Sequence, residues 1–255
     1  MKNVTQISTE SLVIIGSNFI SDSLFTDYRR NGKFKVSLAN DTNAITNKPD
    51  YIIDCSLDKF KQNQTITYSN INNIKKILII NHWERTDLPI SNIPILQAIV
   101  YDVYGYEHMS FNRPGSGNNT DDDINYCTLI SEAIRRIHES KDNFIPITYI
   151  PYGEDSIKYL HIDNLYEPIN YMLVTLNKSC SFSIYDDDKS INMIVNIIKD
   201  IIGYTGRTVI TKDKRLYTKY VKSLDFNFKK NSINYEIKKI YNYLLMNNIR
   251  FELKY

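Results

Sequence analysis

Two stretches of this chain, Leu12 to Ile15 and Ile77 to Ile80, are aliphatic without interruption. A strand with one wet face alternates apolar and polar residues, so unbroken runs belong to strands covered on both faces, as in a parallel sheet. The first run, Ser11 to Ile15, ends in Gly16 and is followed by FISDSLFTDYRR. There Phe19, Ile20, Leu24 and Phe25 give an amphipathic helix that Asn31-Gly32 closes. Further strands are expected over 33–40, over 50–56 after Lys48-Pro49, over 72–83 and over 95–105.

The middle of the chain changes character. Residues 110–123, SFNRPGSGNNTDDD, concentrate Gly, Pro, Asn and Asp and are expected as an exposed loop. From there the apolar positions Ile124, Cys127, Ile130, Ala133, Ile134 and Ile137 predict a helix, followed by a strand at ITYIPYG and a helix over 161–176. A short strand SFSIY and a helix over 189–203 ended by Gly203 come next. A last helix starts at a Ser232 cap with Ile233, Ile237, Ile240, Tyr241 and Leu244 on one stripe. The expected fold class is α/β, a parallel sheet flanked by helices, with a smaller C-terminal α+β subdomain. The division is expected as 1–108 and 109–255, with strand 146–152 and helix 161–176 able to pack back on the first part.

The 255 residues suffice for one large domain, or a domain with a smaller partner. Lys and Arg number 31 against 29 Asp and Glu, and a net charge of +2 gives no electrostatic case for nucleic acid. Counts of 39 Ile, 28 Asn and 20 Tyr against 4 Ala and 8 Gly follow AT-rich codons, so short Asn-based motifs arise by chance and few glycines remain for a phosphate loop. Cys55, Cys127 and Cys180 are too few and too scattered for a disulfide framework or a metal knuckle, and reduced thiols in a cytoplasmic protein are expected. The first residues lack a basic region followed by a long apolar stretch, and no later apolar run reaches about 18 residues. Neither export nor a membrane span is indicated.

Four segments, in order, resemble the extended short-chain dehydrogenase/reductase family of NAD-dependent nucleotide-sugar epimerases, dehydratases and 4-ketoreductases. IIGSNFISDSL resembles the loop GxxGFIGxxL, and KPDYIIDCS the strand PDxVIHxAA. YDVYGY resembles the turn NVYGP, and IPYGEDSIKYLHIDNLYEPI the segment GDGxxxRDFIHVDDLxxAI. The C-terminal part is most similar to GDP-L-fucose synthases and related 4-keto-6-deoxysugar epimerase/reductases. The resemblance implies a cofactor site, NAD or NADP, at Gly16, Asn18, Phe19, Ile20, Asp41 and Ser56. It implies a Rossmann-like sheet with a C-terminal subdomain of substrate-binding type, and a nucleotide-sugar site around Tyr104, Arg113, Lys158 and Arg215. His82, at the carboxyl end of a strand, is a further candidate there. The four His make no metal-ligand pattern, so no metal is expected.

The chain departs from that pattern at the residues that do chemistry. A glycine-rich turn lets backbone approach the cofactor pyrophosphate at a helix N-terminus. Here Asn18 and Ser21 stand where two glycines are expected and the loop is one residue shorter. Asn18 is expected to preserve the turn through left-handed geometry, and Ser21 to crowd the helix against the sheet or the ligand. Asp41 either accepts from a ribose hydroxyl, favouring NAD, or only forms the turn NDTN. The family's acid/base is a Tyr paired with a Lys in YxxxK, with a Ser or Thr at the preceding strand end. Here that strand ends Asn81-His82-Trp83, and only ERTDLPISNIP separates it from Ile95, too short for the helix that carries YxxxK. The matches Tyr185/Lys189 and Tyr235/Lys239 lie far downstream. The acidic clusters Asp121 to Asp123 and Asp186 to Asp188 lack the spacing of a calcium loop and are expected as solvated loops.

These departures lead to the expectation of a degenerate, catalytically inactive member that binds a nucleotide, a nucleotide sugar, or a protein partner such as a second copy of itself. The alternative is an active sugar-nucleotide epimerase or reductase in which His82 or Tyr104 replaces the lost base.

Overall fold

A computed structural model describes residues 10–82, 85–105, 129–151, 156–211, 221–224 and 231–246. The chain forms two compact units. One comprises residues 1–101, 162–184 and 218–228, and the other residues 102–161, 185–217 and 229–255. Sequence segments therefore alternate between the units, and the helix and strand after residue 162 return to the first.

In the first unit, β1 (Ser11–Ile15), β2 (Lys35–Ala39), β3 (Tyr51–Asp54), β4 (Lys76–Asn81), β5 (Ile95–Val100) and β9 (Cys180–Ile184) form one sheet in the order β2-β1-β3-β4-β5-β9. Every neighbouring pair is parallel. β4 and β5 are buried at every position, as their aliphatic composition requires. The expected Rossmann-like parallel sheet is present, flanked by α1 (Phe19–Asn31), α2 (Lys59–Asn72) and α4 (Tyr166–Thr175). α1 buries Phe19, Ile20, Leu24 and Tyr28, and its C-cap Gly32 has φ 63°. Only glycine takes that left-handed position at no steric cost.

The second unit holds β6 (Asp102–Tyr104), α3 (Leu129–Asp142), β7 (Ile147–Pro151), β8 (Ser156–His161), β10 (Asp187–Ser190), α5 (Ile191–Ile202), β11 (Arg207–Thr211) and α6 (Ile233–Met246). β8 lies between β6, parallel, and β10, antiparallel, while β7 pairs with β11. Its core joins Ile130, Ile134 and Ile137 of α3, Ile194 and Ile198 of α5, and Ile237, Ile240 and Leu244 of α6. Ser232 caps α6, its hydroxyl accepting from the Tyr235 N–H.

Several elements differ from expectation. The strand expected over 95–105 is two strands, because Tyr101 ends β5 with its hydroxyl against Ser183 Oγ and β6 joins another sheet. The sequence pattern does not predict α2. Its buried face is Gln62, Thr65, Ile66 and Ser69, so apolar periodicity is absent, although Asp58 caps it at the Lys61 N–H and Asn73 closes it at φ 49°. The helix expected from 161 begins at Tyr166, after β8 and a 3-10 turn at Ile162–Asn164, and its N-cap Leu165 supplies no side-chain bond. Of the acidic run 186–188, Asp187 and Asp188 lie in β10, and Asp186 is buried with its carboxylate accepting from the His161 N–H at 2.7 Å. Asp121 to Asp123 and Cys127 lie outside the described residues. Among the described residues no helix is long and apolar enough to cross a membrane.

Candidate functional site

From β1 the chain runs to β2 on one side and then to β3 on the other, so the order of the sheet reverses between β1 and β3. In open parallel sheets the crevice outside the strand carboxyl ends at such a reversal is where ligands bind. It is formed here by Gly16 to Ile20 after β1 and by Cys55 and Ser56 after β3. Gly16 has φ 144°, and a Cβ on it would stand 3.2 Å from Cys55 Cβ and 3.3 Å from Cys55 C and O. Both the backbone angle and the close approach of the β3 end require glycine. The Gly16 N–H donates to Ala39 O and the Cys55 N–H to Ile15 O, extending both ladders to the crevice floor.

Asn18 corrects one expectation. Its φ is −134° and ψ 171°, extended backbone and not left-handed, and it serves as the N-cap of α1. Its Oδ1 accepts from the Ser21 N–H at 3.0 Å, and the Ser21 hydroxyl accepts from the Asn18 N–H at 3.0 Å, a reciprocal capping box. Ser21 Oγ also donates to Asn18 O at 2.7 Å. Ser21 therefore does not crowd the helix. Fully buried, it completes the helix start, because a hydroxyl can pair within the turn where a larger side chain would be displaced. The Asn18 amide also donates to Cys55 O at 2.6 Å, tying the β1 turn to the β3 end across the crevice.

The charges beside the crevice are acidic. Asp22 lies in the first turn of α1. Burial pushes the Cys55 thiol up, and the Asp54 and Asp22 carboxylates push it further, so the thiol stays protonated. Asp54, the last residue of β3, is completely buried with Oδ1 accepting from the Ser56 N–H at 2.9 Å. Burial raises its carboxyl above the usual carboxylate range, against hydrogen bonds from Ser56 and Thr65. A raised folded-state value means that folding favours the protonated acid, so this contribution is lost as pH rises through that value. Asp54→Asn should be at least as stable as the natural chain at neutral pH. It should also remove part of the decline in stability above about pH 4, read from denaturation midpoints across pH.

The other expected residues are dispersed. Asp41 caps the 3-10 turn Thr42–Ala44, its Oδ1 accepting from the Asn43 N–H at 2.8 Å and the Ala44 N–H at 3.3 Å, the turn-forming option. His82 follows the tip of β4, with Nδ1 3.0 Å from Val100 O, and burial lowers its pKa. Tyr104 is buried in the second unit with its ring edge on His161, and burial, then the Asp186 charge, drives its hydroxyl pKa far up. That is opposite to what a phenolic base needs. Lys158 of β8 lies over the Tyr185 ring at 4.8 Å. In the two downstream YxxxK matches, Lys189 pairs with Asp187 at 2.6 Å and Tyr235 is exposed on α6. Trp83, Glu84, Arg113 and Arg215 lie outside the described residues.

The connection from β4 to β5 has no helix over the described residues 85–94. Parallel neighbours usually need a helical crossover to return the chain and cover the sheet. Here Leu88 and Ile93 take over that cover, packing on Ile66, Ile77, Ile79 and Ile95. Arg85 anchors the segment. Its backbone N–H donates to Gln97 Oε1 at 3.0 Å and its carbonyl accepts from Gln97 Nε2 at 3.0 Å. Its guanidinium donates to Gln62 Oε1 and Asn63 Oδ1, both at 2.9 Å, and Gln62 Nε2 donates on to Asn81 Oδ1 at 2.7 Å. No sequence motif marked this network. The signal available was a polar residue inside each apolar strand, Asp54, Asn81 and Gln97, which burial obliges to find a partner.

No protein-family model matches the chain, and no curated protein matches it by sequence. Solved structures do match it. A GDP-L-fucose synthetase from Naegleria fowleri bound to NADP is 13% identical, with 94% of each chain covered and a TM-score of 0.66. A GDP-mannoheptose C4 reductase from Campylobacter jejuni with NADP bound is 15% identical over 93% of this chain and 99% of that one, with a TM-score of 0.64. A UDP-N-acetylglucosamine 4-epimerase from Bacillus cereus is 12% identical over 96% and 99%, at 0.62. The likeness runs through both units and establishes the Rossmann-like α/β fold.

Proposed function

We propose that this chain is a catalytically inactive relative of the nucleotide-sugar epimerases and reductases, which acts by binding a nucleotide, a nucleotide sugar or a protein partner. The observation that carries this reading is the β4–β5 connection. Residues 85–94 run without a helix, so no surface there presents a Tyr and a Lys four residues apart to the sheet. β4 itself ends in Asn81, whose Oδ1 is committed to Gln62. Fold-mates named for GDP- and UDP-sugar chemistry supply the ligand class, by analogy of fold.

The first test is turnover. Incubated with NADPH and a GDP-4-keto-6-deoxysugar, the protein should show no oxidation of NADPH above the enzyme-free rate. Sustained oxidation would sink the proposal. A thermal-shift series with GDP- and UDP-sugars then identifies the ligand, since a compound at 100 times its Kd stabilises by about 2.7 kcal/mol. Stabilisation by one nucleotide class assigns it, and stabilisation by none leaves a protein partner as the role.

A second reading rests on His82. It follows the carboxyl end of β4, where open parallel sheets place their sites, with Nδ1 at hydrogen-bond distance from Val100 O. If turnover is found, His82→Asn should abolish it under this reading.

A further inference from the structure

The turn that joins β1 to α1 differs from an open anion cradle in what its hydrogen-bond donors already do. A pyrophosphate at a helix start is held by unpaired first-turn N–H groups, on a turn whose glycines keep side chains out of the way. In this chain the capping box spends two of those donors. The Ser21 N–H goes to Asn18 Oδ1 and the Asn18 N–H to Ser21 Oγ, both at 3.0 Å. The N–H groups of Phe19 and Ile20 lie between the two that the box takes. The Asn18 side chain is locked from its other end as well, its amide donating to Cys55 O at 2.6 Å. That bond crosses the space between the β1 and β3 ends, where the sheet order reverses. An acidic residue, Asp22, also sits in the same helical turn.

We infer that the anion seat of this fold is occupied by the chain's own Asn18 and Ser21 side chains, so that the crevice excludes the pyrophosphate of a dinucleotide. The side chains at the two expected glycine positions are then a replacement that satisfies the helix start internally. Gly16 still supplies the turn's backbone angle and its close approach to Cys55.

Calorimetric titration of the full chain with NADPH and with NAD tests this directly. The natural protein should show no saturable binding up to about 1 mM. Asn18→Gly combined with Ser21→Gly reopens the seat and should tighten NADPH binding at least tenfold, roughly 1.4 kcal/mol. Saturable binding of either dinucleotide by the natural protein would overturn the inference. So would a double variant that melts cooperatively yet binds no more tightly than its parent. Because loss of the cap can destabilise α1, a second measurement uses the natural protein alone. In amide NMR spectra, the Asn18 and Ser21 signals should stay in place on adding NADPH, and a saturating shift of either would count against the proposal. NADPH binding without oxidation would defeat this inference and leave the non-catalytic reading standing, whereas oxidation would defeat both.

Discussion

Glu236→Leu should destabilise the protein by about 3 kcal/mol and lower the melting temperature by roughly 10 °C. Glu236 lies on the inner face of α6 between Ile233 and Ile237 and is 1% exposed. One carboxylate oxygen stands 3.2 Å from His161 Nε2, itself completely buried at the end of β8, and the other accepts from Asn231 Nδ2 at 2.5 Å. Removing one partner of a buried pair costs far more than the pair contributes net, because the remaining polar group keeps its desolvation penalty. Leucine adds apolar volume but removes the carboxylate beside His161 Nε2 and the acceptor of Asn231. Glu236→Gln preserves an acceptor for Asn231 and should lose about 1–2 kcal/mol. Amide exchange should localise the damage, with α6 losing protection before α3 and α5. A Glu236→Leu variant within about 0.5 kcal/mol of its parent would show that the contact is incidental.

That carboxylate also marks where sequence reading stops. The stripe Ile233, Ile237, Ile240, Tyr241 and Leu244 is legible because apolar residues at helical spacing have one low-energy use, and all five are buried. Glu236 falls inside the same stripe. Its burial depends on His161, 75 positions away in the chain, and nothing in the local pattern distinguishes it from a solvated acid. The same contrast separates the sheet from α2. Strands β1 and β4 announce themselves by unbroken aliphatic runs, whereas α2 covers the sheet with Gln62, Thr65 and Ser69. A helix whose buried face is polar has no hydrophobic period, and only its caps, Asp58 and Asn73, carried a signal.

At the crevice, residue identity was informative and conformation was not. Gly16 was legible because a strand followed by glycine and an amphipathic helix has few other uses. Asn tolerates left-handed backbone, yet a capping box needs Asn18 extended, and the deciding feature is a serine three residues later. The spacing Asn18-x-x-Ser21 holds that information, which the two expected glycine positions conceal. The short β4–β5 connection, in contrast, could be read by length alone, because about 10 residues cannot both form a helix and return to the start of the sheet.

What holds that shortened connection in place should be the guanidinium of Arg85, and Arg85→Met is expected to lower stability by about 3 kcal/mol. The side chain is 3% exposed and donates to Gln62, Asn63, the Lys59 carbonyl and Asp87. Asp87 in turn pairs with Lys59, so an ion pair as well as the Arg85 hydrogen bonds joins the first turn of α2 to the connection. Methionine fills much of the same volume without donors, which separates the polar loss from a packing loss. Arg85→Lys should recover little, because one ammonium cannot reach acceptors arranged around a planar fork. Without the anchor, residues 85–94 lose their hold on α2, and Leu88 and Ile93 no longer stay over Ile77 and Ile79. Limited proteolysis should then cut first within this segment. Chemical denaturation gives the magnitude, and a loss below about 0.5 kcal/mol would show that Leu88 and Ile93 alone close the sheet where a crossover helix is absent.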